Sequence, residues 1–258
     1  PAVLTDRENR PMAWYLPELV PPCIQECLLD SLEDLPSVKS SNTRRNKPEA
    51  FRMISGDRLT PRALDVTPAW YSLGHVGRQF PLYASKSLSA QSPSSVPVIQ
   101  WFSKHLDILA VLCGVIQIIH PEQYSRGLET LLGLISNPQL LSNPEYIIPL
   151  LNEWCLPFTG IAILVNRQSE VHRDRDAPLM GFDICTTMGF YLAGWFNLPD
   201  LKTSLAYPPG AAVFLLAKTF NHEVPHVDGE RAAIILFNKD PIQEALRLPS
   251  IPSAPRIL

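Results

Sequence analysis

Residues 171–174 read Val-His-Arg-Asp, and this stretch decides how the rest of the chain is interpreted. It follows an apolar run at residues 160–165 that is typical of a β-strand. Side chains two residues apart on an extended segment point to the same face, so His172 and Asp174 can bind one metal ion together. A second histidine from a later strand, His222, would complete a set of three ligands.

Two histidines and one carboxylate leave three coordination positions of a metal open, which is typical of non-haem Fe(II) oxygenases. A His-x-Asp pattern also occurs by chance, and a surface polar cluster is the alternative interpretation. The chain contains a second such pattern, His105-Leu106-Asp107, in a segment whose apolar residues recur at helical spacing. Residues two apart on a helix face away from each other, so we do not expect this second pattern to bind a metal.

Two apolar runs, residues 211–216 and 231–237, flank a loop that contains proline and Asp-Gly turn signals. This arrangement predicts a β-hairpin. We expect His222 near the end of the first strand and Arg231 at the start of the second, so that both face one cavity. A planar guanidinium binds a carboxylate through two hydrogen bonds, so Arg231 suits an acidic co-substrate. His226, which lies in the loop, stays open as an alternative third ligand.

The segment from residue 160 to residue 237 resembles the double-stranded β-helix core of Fe(II)/2-oxoglutarate-dependent dioxygenases, and details of it resemble the TET/JBP branch, particularly its fungal members. These details are His172-Arg173-Asp174, the small-residue turn at 188–199, the turn Tyr207-Pro208-Pro209-Gly210, and the pair His222 and Arg231. The resemblance implies that His172, Asp174 and His222 bind Fe(II). It also implies that Arg231 binds the distal carboxylate of 2-oxoglutarate.

The same resemblance implies an enzyme that uses Fe(II), 2-oxoglutarate and O2 to oxidise methyl groups on DNA bases. The implied substrates are 5-methylcytosine and, in addition, N6-methyladenine, and the implied partner is DNA that contains them. Such a base must leave the duplex stack to reach a buried metal. Two alternatives remain open: a hydroxylase of the same fold that acts on a protein side chain or a small metabolite, and a binding module without catalysis. The formal net charge of −3 favours the first alternative over DNA.

One position departs from the TET/JBP pattern. Family members often carry an asparagine five residues after the first metal ligand, where it contacts the target base, and this chain has Ala177 there. Asp176 is the polar neighbour of Ala177, and we predict that its carboxylate accepts a hydrogen bond from an exocyclic amine of the base. A surface salt bridge from Asp176 to Arg173 or Arg175 is the alternative.

Aromatic residues beyond the metal motif are candidates for stacking on the base. We single out Tyr191 and Trp195 as substrate-binding residues, with Phe190 and Phe196 as further candidates. Their alternative role is packing in the core or on a sheet, because aromatic residues dominate buried surfaces generally.

Composition limits the class of protein. At 258 residues and 46% hydrophobic content, the chain is long enough for one compact catalytic unit. No uninterrupted apolar run reaches the roughly 18–20 residues that span a bilayer, and a signal-type N-terminus is not recognised. The five cysteines have scattered spacings without the CxxC pairs typical of zinc sites. We therefore expect a soluble, monomeric protein of the nucleus or cytoplasm that makes no membrane contact.

The prolines divide the chain into two regions. Many of the 26 prolines fall in residues 1–97, which we predict to pack on the core as an irregular region. This region includes a basic segment, residues 39–62, that could bind the phosphate backbone of a nucleic acid. The alternative is that the segment is a solvated loop. Residues 98–258 are expected to contain a helical support layer and the double-stranded β-helix core.

Two apolar stripes predict the helices of the support layer. The residues of the first stripe are Ile108, Leu109, Leu112, Ile116 and Ile119, and those of the second are Leu128, Leu131, Leu132 and Ile135. Helices that precede a β-core are expected to pack on the outer face of its larger sheet. The predicted fold class is therefore α+β, a distorted jelly roll with supporting helices and a metal at its mouth.

Overall fold

The structure is a computed structural model that describes residues 1–35, 47–52, 56–72 and 74–257. Two antiparallel β-sheets pack face to face, and helices cover the outer face of the larger sheet. The architecture is an α+β fold with an open, distorted jelly-roll core, which confirms the predicted fold class.

The strands are divided between the two sheets as in a jelly roll. The larger sheet contains β1 (Ala2–Thr5), β2 (Pro11–Leu16), β3 (Arg62–Val66), β4 (Gly160–Val165), β6 (Asp183–Tyr191), β9 (Ala212–Leu215) and β11 (Gly229–Phe237), hydrogen-bonded in the order β1-β2-β9-β6-β11-β4-β3. The smaller sheet contains β5 (Ser169–His172), β7 (Trp195–Leu198), β8 (Thr203–Ala206) and β10 (His222–Val224), in the order β5-β10-β7-β8. From β4 onward the chain crosses repeatedly between the two sheets.

The described residues also form six α-helices. They are α1 (Pro22–Ser31), α2 (Ser95–Lys104), α3 (Leu106–Ile119), α4 (Pro121–Ser136), α5 (Pro144–Trp154) and α6 (Asp240–Ala245). Short 3-10 helices lie at Leu32–Asp34, Pro48–Ala50, Lys86–Leu88, Pro138–Leu140 and Pro199–Leu201. Over the described ranges no single helix is both long and apolar enough to cross a membrane, and only α2 and α3 taken together, bent by 64°, meet that criterion.

Alternation along the central strands separates the two cores of the molecule. Ile161 and Ile163 of β4 and Ile234 of β11 point outward and pack with the helices in the main hydrophobic core. Ala162 of β4 and Ala233 of β11 point inward, toward the smaller sheet. At these central positions the inner face carries alanine where the outer face carries isoleucine, which leaves room for a cavity between the sheets.

The predicted hairpin between residues 211–216 and 231–237 is wrong. β9 pairs with β2 and β6, whereas β11 pairs with β4 and β6. Between them the chain crosses to the other sheet and forms β10, with His222 as its first residue. The apolar runs and turn signals predict strands correctly, but local sequence does not encode which sheet each strand joins.

Residues 1–97 provide strands of the larger sheet itself. β1 and β2 form one edge of that sheet through β9, and β3 forms the opposite edge through β4. Of the basic segment 39–62, residues 39–46 and 53–55 lie outside the described residues. Its described arginines are engaged within the protein, because Arg52 pairs with Asp57, Arg58 with Asp30 and Arg62 with Glu33.

Helix α4 is rotated relative to the predicted apolar stripe. The residues it buries are Gln123, Gly127, Thr130 and Leu134, whereas Leu132 is 63% exposed. Gly127 lies against the Pro157 carbonyl so closely that an added Cβ would lie 2.0 Å from the carbonyl oxygen. Gln123 uses its side-chain amide to bind both backbone groups of Phe182 at 2.8 Å. Close packing and amide pairing thus set the orientation of α4.

Candidate metal and co-substrate site

A cavity of about 320 Å³ lies between the two sheets. Ala63, Ala162 and Ala233, on three neighbouring strands of the larger sheet, line its floor and make room for it. The polar and charged groups on its wall include His172, Asp174, Asp183, His222 and Arg231. The residues that the sequence analysis assigned to iron and 2-oxoglutarate therefore meet in one space.

Strand pairing brings the two histidines together. His172 is the last residue of β5 and His222 is the first residue of β10, and the two are register partners across the antiparallel pair. Their ring centroids lie 4.2 Å apart. Asp174 follows β5, and its backbone N–H donates to the carbonyl of Ala217 at 3.0 Å. The loop before β10 thus holds Asp174 beside both rings.

The ligand atoms of these three residues have separations that one metal ion can bridge. Asp174 Oδ1 lies 3.9 Å from His172 Nε2, and Asp174 Oδ2 lies 3.9 Å from His222 Nε2. Bonds from a metal to nitrogen or oxygen are about 2.0–2.2 Å, so two donors on one ion lie at most about 4.4 Å apart. Among the described residues this is the one cluster of three or more His, Cys, Asp or Glu side chains that could hold a metal.

The hydrogen bonds of the two rings fit metal binding through Nε2. Nδ1 of His172 donates to the carbonyl of Glu170 at 2.7 Å, and Nδ1 of His222 donates to the carbonyl of Phe220 at 3.1 Å. A carbonyl only accepts, so Nδ1 carries the proton and Nε2 of each neutral ring presents a lone pair. This backbone support is the usual outer contact of a metal-binding histidine.

Arg231 is a buried cation on the same cavity wall. Its side chain lies near the start of β11, is 5% exposed, and donates to the carbonyl of Arg167 at 2.5 Å. No carboxylate of the described residues forms an ion pair with Arg231, and burial lowers the pKa of its guanidinium. Arginine nevertheless stays protonated, so an anion that enters the cavity would stabilise this buried charge.

Asp183 is a cavity residue that the sequence analysis missed. The first residue of β6, it is 1% exposed, and neither carboxyl oxygen has a hydrogen-bond partner among the described residues. Burial, with a further contribution from the Asp174 carboxylate, raises the pKa of Asp183 well above its ordinary value. The available signal was an acidic residue inside the apolar strand Phe182-Asp183-Ile184-Cys185, since an unpaired buried carboxyl is rare.

Asp176 lies outside the cavity wall. Its side chain is 59% exposed and forms a 3.8 Å ion pair with Lys239, and neither Arg173 nor Arg175 is its partner. Ala177, the next residue, does line the cavity and is 1% exposed. The turn at residues 174–177, closed by the Ala177 N–H donating to the Asp174 carbonyl at 3.1 Å, therefore directs the small side chain inward and the carboxylate outward.

Tyr191 and Trp195 are also placed away from the cavity lining. Tyr191 is buried, and its hydroxyl donates to the carbonyl of Tyr207 at 2.8 Å, so it supports the turn that follows β8. Trp195 is 53% exposed on the first residue of β7. Of the four aromatic candidates, Phe196 reaches the cavity, where its ring lies parallel to that of His222 at 5.9 Å.

The remaining histidines do not join the cluster. His226 is exposed in the loop between β10 and β11. His105 lies between α2 and α3, and its Nε2 bonds the hydroxyl of Ser31 at 2.8 Å. Geometry thus selects His222 over His226 as the third member of the cluster.

Comparison with known proteins gives a family and a fold. The Tet_JBP family model, described as the oxygenase domain of the 2OGFeDO superfamily, matches residues 70–240. The solved structure of NgTET1 in complex with 5mC DNA is similar to this chain with a TM-score of 0.56 at 14% sequence identity. The similarity covers 93% of this chain and 76% of NgTET1.

Two further solved structures are similar to a smaller part of this chain. The viral collagen prolyl hydroxylase vCPH from Paramecium Bursaria Chlorella virus-1, in its 2OG complex, is 16% identical with a TM-score of 0.26, over 32% of this chain and 59% of that one. A 2OG-Fe(II) oxygenase family oxidoreductase from Burkholderia pseudomallei is 18% identical with a TM-score of 0.27. The similarity covers 39% of this chain and 60% of that one. No curated protein matches the chain.

Proposed function

The chain belongs to the Tet/JBP family of oxygenase domains in the 2OGFeDO superfamily, which uses Fe(II) and 2-oxoglutarate, and we propose that it oxidises methyl groups on DNA bases. The proposed substrates are 5-methylcytosine and N6-methyladenine. One observation carries the proposal: a His-Asp-His cluster and a buried arginine, which has no ion-pair partner in the described part of the chain, line the same cavity.

DNA as the partner is supported by the relative that covers most of the chain. NgTET1 was solved in complex with 5mC DNA, and its similarity to this chain extends over 93% of the residues. The cavity volume of about 320 Å³ lies at the lower end of the roughly 300–1,000 Å³ typical of small-molecule sites. A single base flipped out of the stack suits such a cavity, whereas a duplex does not.

The chain's own residues divide the work of holding the reactants. His172, Asp174 and His222 would hold Fe(II), and Arg231 would bind the distal carboxylate of 2-oxoglutarate. When bound, these groups supply the activation of O2 that lets an unreactive C–H bond be oxidised. The protein positions the reactants, because backbone carbonyls fix the imidazole tautomers.

A hydroxylase of the same fold that acts on a protein side chain or a small metabolite is the second candidate. Two observations favour it: Ala177 stands where relatives place a base-contacting asparagine, and Arg52, Arg58 and Arg62 pair with the chain's own carboxylates. Both candidates require the same metal and co-substrate site, so the substrate has to be tested directly.

The test incubates the purified protein with Fe(II), 2-oxoglutarate, O2 and one oligonucleotide. The oligonucleotides carry 5-methylcytosine, N6-methyladenine or no methylated base, each in duplex and single-stranded form. We expect succinate release together with a mass increase of 5-methylcytosine by one oxygen atom. N6-methyladenine should instead become adenine, because its N-hydroxymethyl product loses formaldehyde, and the unmethylated strand should show no change in base mass. Succinate release without a mass change in any base would reject DNA as the substrate and favour the second candidate.

The matched control is Asp174→Asn, which removes one anionic metal ligand while preserving side-chain size. It should abolish base oxidation while leaving the fold intact by circular dichroism. Equal base oxidation by Asp174→Asn and the unmodified protein would show that the activity comes from a contaminant or from another site.

A further inference from the structure

Asp183 has an unusual environment for a carboxyl group. Its side chain is 1% exposed, lines the cavity, and has no hydrogen-bond partner for either oxygen among the described residues. A buried polar group without a partner costs roughly 1–3 kcal/mol. The cost is offset when a ligand that enters the cavity supplies the missing partner.

Strand register places Asp183 far from the co-substrate residue. On β11, Arg231 pairs with Gly189 of β6, whereas Leu236 pairs with Ile184, the neighbour of Asp183. Six residues of a strand separate Asp183 from Gly189, which is roughly 20 Å at about 3.3 Å per residue. A co-substrate held by Arg231 therefore leaves the Asp183 end of the cavity for the substrate.

The surroundings of Asp183 link it to the metal cluster. Asp174, Asn238 and Lys239 line the same cavity as Asp183. Burial is the main cause of the raised pKa of Asp183, whereas Lys239 and the backbone N–H of Asn238, which lies outside hydrogen-bonding geometry, lower it. Lys239 also pairs with Asp176, which holds the loop that turns Ala177 into the cavity. Asp183 thus lies near Asp174 and near the loop where relatives place a base-contacting asparagine.

We propose that Asp183 is a substrate-binding residue that hydrogen-bonds the polar edge of the flipped methylated base. The inference rests on the proposed function and names the residue that recognises the base. A neutral carboxyl group presents an O–H donor beside a C=O acceptor. Cytosine offers the complementary pair at N3 and the N4 amine, and adenine offers it at N1 and the N6 amine. One residue can therefore bind both kinds of base.

Burial favours the neutral form of this acid. Asp183 is 1% exposed, and desolvation disfavours the charged carboxylate, so the pKa of Asp183 is raised. An amide has the same donor and acceptor side by side, and it cannot ionise. Asp183→Asn should therefore keep the hydrogen-bonding pattern, whereas an apolar residue should lose it.

The experiment compares Asp183→Asn, Asp183→Leu and Asp183→Ala with the unmodified protein. The control Asp107→Leu makes the same change at an exposed position of α3. We measure KM for the methylated oligonucleotide, KM for 2-oxoglutarate, and the ratio of base oxidised to succinate formed. The Leu and Ala variants should raise the oligonucleotide KM at least about tenfold, as expected for two lost buried hydrogen bonds. The Asn variant should stay within about threefold, and KM for 2-oxoglutarate should not change.

Two further measurements separate recognition from folding. Under anaerobic conditions, fluorescence anisotropy compares a methylated oligonucleotide with the same strand carrying an abasic site. The preference for the base should disappear in Asp183→Leu and persist in Asp183→Asn. The Tm should not fall in Asp183→Leu, because an apolar residue removes an unpaired buried polar group.

Each contrary outcome has its own meaning. If the unmodified protein oxidises a methylated base and the Leu and Ala variants do so with the same KM, Asp183 does not bind the substrate, although the proposed function stands. A loss in Asp183→Asn as large as in Asp183→Leu rejects the donor-acceptor recognition. If the unmodified protein oxidises no methylated base, the proposed function fails and this inference fails with it.

Discussion

Two histidines four residues apart have different environments. His222 is buried at the start of β10 with its Nε2 directed at Asp174, whereas His226 is exposed in the following loop. Backbone support of Nδ1 further prepares His222 for a metal. The difference comes from strand pairing with β5, and it leads to a prediction about the metal.

We predict that His222→Ala weakens metal binding by at least about a hundredfold, because loss of a supporting outer contact alone typically costs 10–100-fold. His226→Ala is the matched control and should bind the metal as the unmodified protein does. Calorimetric titration with Mn(II), used in place of the oxidisable Fe(II), measures both. Intact binding in His222→Ala together with lost binding in His226→Ala would reverse the ligand assignment.

Arg231 leads to a prediction about the co-substrate. Breaking a buried ion pair by removing one partner costs about 3–5 kcal/mol, so Arg231→Met should raise KM for 2-oxoglutarate at least about a hundredfold. Arg126→Met, a change on helix α4 away from the cavity, should leave KM unchanged. Unchanged 2-oxoglutarate affinity in Arg231→Met would show that another residue binds the distal carboxylate.

At the level of elements, Gly114 of helix α3 and Gly127 of helix α4 should respond oppositely to substitution by alanine. Gly127 of α4 has the carbonyl oxygen of Pro157 2.0 Å from where a Cβ would lie, whereas Gly114 of α3 has nothing within 4 Å. Local sequence does not show which of these glycines meets a backbone, because the segment at Pro157 that packs against Gly127 is distant in the chain. The segment that packs against each glycine decides whether an added methyl group fits.

We predict that Gly127→Ala lowers the free energy of unfolding by about 1–3 kcal/mol, since the backbone must shift to relieve the overlap. Gly114→Ala should raise it by about 0.5–1 kcal/mol, because alanine is the better helix former. Urea denaturation followed by circular dichroism measures both. A stable Gly127→Ala variant would mean that α4 can move away from Pro157 at little cost.

At the level of the whole molecule, the cavity joins the two sheets, so its ligands should stabilise the entire fold. A ligand at a hundred times its Kd adds about 2.7 kcal/mol to the free energy of unfolding. For a chain of this size that corresponds to a rise in Tm of roughly 5–10 °C. We predict such a rise on adding Mn(II) and 2-oxoglutarate together, measured by differential scanning fluorimetry.

His172→Ala is the control for this rise, because it removes a residue of the metal cluster and leaves Arg231 in place. It should lose most of the shift that depends on Mn(II). An equal shift in His172→Ala and the unmodified protein would place the stabilising metal elsewhere.

The sequence by itself predicted the α+β fold class and four residues that the structure brings to one cavity, although it left His226 open as an alternative to His222. His172 and Asp174 could be paired because residues two apart on an extended segment face the same side. His222 and Arg231 were predicted at the end of one strand and the start of the next, whereas the structure places His222 at the start of β10 and Arg231 near the start of β11. These spacings are local features of the sequence, and a strand pattern specifies which side chains share a face.

Strand pairing and side-chain burial were decided only by the tertiary structure. The pairing of β9 with β2, the outward position of Asp176 and the unpartnered burial of Asp183 depend on segments distant in the chain. Burial and partner identity are set by what packs against a residue, and no short pattern around Asp183 specifies that β11 and the loop at Ala177 will enclose it. The sequence therefore predicted the His-Asp-His cluster, whereas the burial of Asp183, the residue that we propose to recognise the base, became visible only in the packing of the two sheets.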